Sequence, residues 1–139
     1  MPAEPVQVRD LLASARRIAV VGLSPRPERP SHSVARYLQS KGYWIIPVRP
    51  GPDGSILGEP IRHDLESAAR EGPIDIVDLF RRSDAIPGLV DPIIAVRPQL
   101  VWMQVGVIHE PSARLLEAAG IPVVMDYCLA VEHHSLLGG

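Results

Sequence analysis

Five short, unbroken apolar runs punctuate the chain, and the stretches between them carry apolar residues at helical spacing. The runs occupy residues 18–21 (I-A-V-V), 43–48 (Y-W-I-I-P-V), 74–80 (I-D-I-V-D-L-F), 100–105 (L-V-W-M-Q-V) and 121–125 (I-P-V-V-M). Runs that do not alternate apolar with polar are the mark of strands buried on both faces, as in a parallel sheet. The spacing of Val8, Leu11, Leu12 and Ala15 predicts a helix over 6–16. A second helix over 32–41, capped by Ser31 and ended by Gly42, turns Val34, Ala35 and Leu38 inward. Residues 50–58, with Asp53-Gly54, read as turn only. A short helix is expected over 64–70. The next starts at a cap on Ser83 or Asp84 and runs to about Val96, with Pro87 in the first turn, where a missing N–H costs little. Another covers 110–119 and closes at Gly120, and a terminal helical turn covers 129–134. Strands alternating with helices predict an α/β fold: one three-layer domain over residues 1–139, with a five-stranded parallel sheet and right-handed crossovers.

In such a sheet, ligands bind at the carboxyl ends of the strands, near the point where the strand order reverses. The loop after the first strand is therefore the place to look. It reads G-L-S-P-R-P-E-R-P-S-H from Gly22 to His32. A dinucleotide fingerprint would place two more glycines here to bring a pyrophosphate against the backbone. They are absent. Ser24 and Ser31 offer hydroxyls instead, Arg26 and Arg29 offer charge, and the following helix start offers backbone N–H groups and a positive dipole end. The second strand ends Pro47-Val48-Arg49-Pro50, without the acid that bonds a ribose 2′-hydroxyl in NAD sites. Arg49 suits a phosphorylated ribose, with a 3′-phosphate as in coenzyme A or a 2′-phosphate as in NADP. Pro47 and Pro50 form a stiff apolar edge for adenine.

Composition narrows the partners. Net charge is −2, so no global basic field argues for nucleic acid. Basic charge is carried by thirteen Arg and one Lys, and arginine is the residue for planar phosphate contacts. No apolar run approaches the ~18–20 residues of a membrane span, and the first residues do not look like a secretory signal. A cytoplasmic location is expected. The single cysteine, Cys128, excludes an internal disulfide.

The stretches V-V-G-L-S, R-P-S-H-S-V, G-Y-W-I-I-P-V-R-P, I-V-D-L-F-R-R, W-M-Q-V-G-V and V-V-M-D-Y-C-L-A-V-E-H, in this order, resemble the small bacterial CoA-binding-domain proteins. These are related to the CoA-binding domain of the succinyl-CoA synthetase alpha subunit. The resemblance runs from Ile18 to about Leu137 and implies a Rossmann-like fold that binds coenzyme A. On that basis Gly22, Ser24, Pro25, Arg29, Pro30, Ser31 and His32 fall in the phosphate loop. Val48, Arg49 and Pro50 fall on the adenosine side, and Phe80 and Arg81 at the end of the third strand, facing the ligand. The chain departs from the family pattern at Arg49, where Asn is usual, and at Tyr127, where Arg is usual.

Gln104 and His109 follow the fourth strand on the same side of the sheet, where a pantetheine arm or substrate would pass, but a satisfied structural role is the expectation for each. Asp126, Cys128, His133 and His134 match no common zinc spacing, so no metal is expected. As a nucleophile Cys128 would need a base, for which His109 is the one plausible candidate; nothing in the sequence places the two together, and Cys128 reads as a small buried hydrophobe. The expectation is a module that binds coenzyme A or an acyl-CoA without chemistry of its own, acting with a protein partner or as a homo-oligomer. The synthetase relatives act through a phosphorylated histidine in a second domain, for which this chain is too short. The alternatives are an NADP-binding reductase or redox regulator, and an α/β module that acts through protein contacts.

Overall fold

The computed structural model describes residues 4–138; residues 1–3 and 139 lie outside the described residues. Its main sheet has five parallel strands: β1 (Arg17–Val21), β2 (Trp44–Val48), β5 (Ile76–Leu79), β6 (Leu100–Met103) and β7 (Val123–Met125). Their order is β2-β1-β5-β6-β7. The chain winds one way from β1 to β2 and the other way from β5 to β7, so the order reverses between β1 and β5.

Helices cover both faces, which is why the strands read as unbroken apolar runs. Ile18, Val20, Ile45, Ile76, Leu100 and Trp102 face α1 (Pro5–Ser14), α2 (Pro30–Ser40) and α6 (Leu129–Leu137). Ala19, Val21, Ile46, Val77, Leu79, Val101 and Met103 face α3 (Leu65–Ala69), α4 (Val90–Val96) and α5 (Glu110–Ala118). The family-implied Rossmann-like architecture is therefore present.

Several elements differ from the sequence expectation. Helix α2 starts at Pro30, with Arg29 at the N-cap, so Ser31 lies inside the first turn rather than capping it. Proline's fixed φ and missing N–H suit the first helical position. Residues 50–58 are more than a turn: β3 (Ser55–Ile56) pairs antiparallel with β4 (Glu59–Pro60), the start of an excursion that returns to the edge of β2. There Arg62 donates its N–H to Pro47 O, and Arg49 N–H donates to Arg62 O, which protects the edge strand. The helix expected from Ser83 is instead two 3-10 turns, Ser83–Ala85 and Pro87–Leu89, followed by the short α4. Pro87 has no N–H to give to Ser83 O, and Gly88 follows it, so a continuous α-helix cannot pass. Helix α6 runs three residues beyond 134.

Candidate functional site

The carboxyl ends of β1, β2 and β5 are knitted together at Gly22. Its N–H donates to Val48 O at 2.8 Å, and Phe80 N–H donates to Val21 O at 2.9 Å. Gly22 has φ +88°, and a Cβ there would stand 2.2 Å from the Phe80 carbonyl oxygen. The glycine is needed because β5 crosses so close to the first loop, independent of any bound phosphate.

Above this junction opens a cleft of about 760 Å³. Of the residues assigned to ligand contact from sequence, Gly22, Ser24, Pro25, Arg29, Pro30, Ser31, Arg49, Pro50, Phe80 and Arg81 line it. Two do not. Val48 is buried in the core facing α3, and reaches the junction only through its carbonyl. His32, in the first turn of α2, is buried with its Nδ1 unpartnered. The apolar side chain of one and the helix-inward position of the other take them out of the cleft wall. Arg26, Arg82, Gln104, Val105, Gly106 and Val107 complete the lining.

The first loop is built on its two serines. Ser24 N–H donates to Ser31 Oγ at 3.0 Å, and Arg26 N–H donates to Ser24 Oγ at 3.1 Å. The hydroxyls therefore hold the loop as acceptors, and each keeps its own proton to donate. The Ser24 backbone N–H is already committed, unlike the free amides of a glycine-rich loop. Behind the loop, α2 presents the N-terminus of an eleven-residue helix.

Five arginines line the cleft and no carboxylate does. Arg49 Nη1 donates to Leu23 O at 3.1 Å, which fixes its side chain across the end of β1. Arg26 pairs with Glu28 and Arg82 with Asp84, both in exposed positions where such pairs hold weakly. The guanidinium groups of Arg29 and Arg81 have no ion-pair partner among the described residues.

The opposite wall is the turn after β6. Val107 N–H donates to Gln104 O, and Gly106 N–H donates to Asp126 Oδ1 at 2.7 Å. Ser83 Oγ accepts from Ile108 N–H and donates to Gly106 O. Asp126 adopts φ +67° to make its contact. Beneath this turn, Gln104 Nε2 donates to Asp78 Oδ1 at 2.6 Å, and Gln104 Oε1 accepts from Leu129 N–H at 3.4 Å. Asp78 is fully buried and its Oδ2 has no partner. Burial pushes its pKa up to about 7, and the Gln104 hydrogen bond opposes that only in part.

The remaining candidates are placed elsewhere. His109 caps α5, its Nδ1 accepting from Ser112 N–H. His133 accepts or donates to Tyr37 Oη at 2.9 Å and packs edge-on against Tyr37 and Tyr43. Cys128 is half-buried against the core at the start of α6. Among the described residues no three His, Cys, Asp or Glu side chains are grouped to hold a metal ion. No helix among them is long and apolar enough to cross a membrane.

A family model described as "CoA binding domain" matches residues 16–134. The chain belongs to the CoA-binding domain family. That membership supports a CoA-binding role in general. The chain is 40% identical over 127 residues to the uncharacterized protein YneT of Bacillus subtilis, covering 91% of this chain and 92% of that one. It is similar in structure to cell-free ID.343 from Thermus thermophilus, with a TM-score of 0.91, 39% identity, and coverage of 96% of this chain and 99% of that one. A hypothetical protein from Pyrococcus horikoshii OT3 superposes with a TM-score of 0.89 at 30% identity, over 98% of this chain and 94% of that one.

Proposed function

We propose that this CoA-binding domain holds coenzyme A, or an acyl thioester of it, in the cleft over the carboxyl ends of β1, β2, β5 and β6, and performs no chemistry of its own. The observation that carries this reading is a cleft lined by five arginines and no carboxylate, in a chain of net charge −2. Such a local field selects a polyanion, and coenzyme A carries a pyrophosphate and a 3′-phosphate. The pyrophosphate sits over Ser24, Ser31 and the α2 N-terminus, with Arg29 as its counter-charge. Arg49, braced on Leu23 O, takes the ribose phosphate. Adenine rests on Pro50 rather than Val48, because the Val48 side chain is in the core. A volume of about 760 Å³ is within the range of roughly 300–1,000 Å³ usual for small-molecule sites.

The absence of catalysis rests on the lining. It includes no Cys, His, Lys, Asp or Glu, and neither serine is bonded to a base. Isothermal titration of the protein with coenzyme A, dephospho-CoA and NADPH tests the reading. Coenzyme A is expected to bind about tenfold or more tightly than dephospho-CoA, a difference of ~1.4 kcal/mol or more. Arg49→Ala is expected to erase that difference. Absence of CoA binding, or tighter binding of NADPH, rejects the proposal.

A further inference from the structure

We propose that Gln104, held in one orientation by Asp78, reads an amide of the ligand's pantetheine arm and gives the cleft its preference for the complete coenzyme over its phosphoadenosine half. This rests on the coenzyme A reading and extends it to the end of the cleft that the arginines do not serve.

The orientation of Gln104 follows from its partners. Leu129 N–H can only donate, so the oxygen of the Gln104 amide must face it. The nitrogen then faces Asp78, whose Oδ1 accepts. One N–H of Nε2 and one lone pair of Oε1 are left over. Gln104 is 3% exposed and is part of the cleft lining, and the proposed contact uses that remnant. A pantetheine arm brings two secondary amides, each with one donor and one acceptor, which is the complement of what Gln104 has left. Phe80, Val105 and Val107 supply apolar surface around it, as the arm's hydrocarbon needs.

Asp78 is otherwise unexplained. Its carboxyl lies between Val20 and Trp102 in the sheet register, wholly removed from water, and one oxygen has no partner. Burying a carboxyl in an apolar layer is costly. Among the described residues its single hydrogen-bond partner is Gln104. Asp78 is thus a positioning residue: it never reaches the cleft, and it acts by denying Gln104 any other rotamer.

The test compares coenzyme A with 3′-phosphoadenosine 5′-diphosphate, which has both phosphate groups but no arm. In the wild type, coenzyme A is expected to bind ten- to a hundredfold more tightly. Gln104→Met is expected to shrink that ratio at least fivefold through weaker CoA binding. Asp78→Leu is expected to do the same, whereas Asp78→Asn, which still offers an acceptor to Gln104, is expected to keep the ratio within threefold of wild type. A role confined to holding β5 and β6 together would weaken both ligands alike, leave the ratio unchanged and overturn the proposal. A wild-type ratio near one also overturns it, while leaving the phosphate end of the reading intact. Failure of both ligands to bind the wild type rejects the coenzyme A reading itself. Where Asp78→Leu fails to fold, the ratio measured for Gln104→Met decides the matter.

Discussion

The buried carboxyl of Asp78 makes a quantitative demand on stability. Its pKa rises from 3.8 to about 7 on folding, because burial disfavours the charged form. A carboxyl with a raised folded pKa binds more protons in the native state than in the unfolded chain. Its contribution is therefore complete below pH 3.8, declines as pH rises, and is lost above about 7. About three pKa units, at ~1.4 kcal/mol each, give a loss of about 4 kcal/mol across the whole window. Asp78→Asn removes the titration and keeps an acceptor for Gln104. The N–H groups of the new amide take the place of the unpartnered Oδ2 and cost about 1–3 kcal/mol, but that offset does not vary with pH. Urea unfolding at half-unit pH steps, followed by the fluorescence of the fully buried Trp102, gives both stabilities. Wild-type stability minus that of the variant is expected to fall by roughly 2 kcal/mol between pH 4.5 and 6.5. Other groups titrate in that range in both proteins and cancel in the difference. Parallel curves would refute the claim that Asp78 is buried without a charge to pair with.

Gly22→Ala and Gly120→Ala separate backbone strain from close approach, because the two glycines share nearly the same φ, +88° and +87°. Only Gly22 faces a backbone oxygen, at 2.2 Å from a built Cβ, so its substitution is expected to cost more than about 2 kcal/mol beyond the ~1 kcal/mol of strain expected at Gly120; equal costs in urea unfolding would show that β1 and β5 can separate freely. His133 has its pKa pulled below 6.5 by burial first, then by the positive charges of Lys41 and His134. Its share of stability is present above 6.5 and is lost as pH falls below that value, so an NMR titration should place its midpoint below 6.5, and a midpoint at or above 6.5 contradicts the packing of α6 on Tyr37 and Tyr43.

The strands and most helices are legible in the sequence because a sheet buried on both faces must be written as apolar runs, and its covering helices as apolar stripes. The elements that escape notice are those whose conformation is set from outside. The β3–β4 hairpin turns on Leu57 and Gly58, at φ +54° and +79°. Tight hairpins favour Asn or Gly at both positions, so a leucine in the first conceals the turn. Ile56, buried beside it, offsets the strain by packing into the α1/α2/α6 layer. The break of the 83–96 segment into 3-10 turns was written in Pro87 and Gly88, but the apolar residues around them favoured a helix. At the site, charge was readable and geometry was not. Arg26, Arg29, Arg49, Arg81 and Arg82 stand in three separate segments, and nothing local says that they share one cleft. The Asp78–Gln104 bond joins residues 26 apart, on neighbouring strands, and only the sheet register brings them together.

On the proposed coenzyme A reading, that distribution explains how the loop manages without the glycines of a dinucleotide site. A glycine-rich turn binds phosphate with its own amides, and needs no help from the rest of the sheet. Here the Ser24 amide is spent on Ser31, and the one glycine is present to clear the Phe80 carbonyl. Charge must come from side chains instead, and side chains that converge on one point must start from different strand ends. The reversal of strand order between β1 and β5 makes that possible. It brings the segments after β1, β2 and β5 to one cleft, whose lining includes Arg29 and Arg49 from the first two and Arg81 and Arg82 from the third. The arginines of the site thus depend on the topology of the whole sheet, whereas a glycine loop depends on a few residues of backbone.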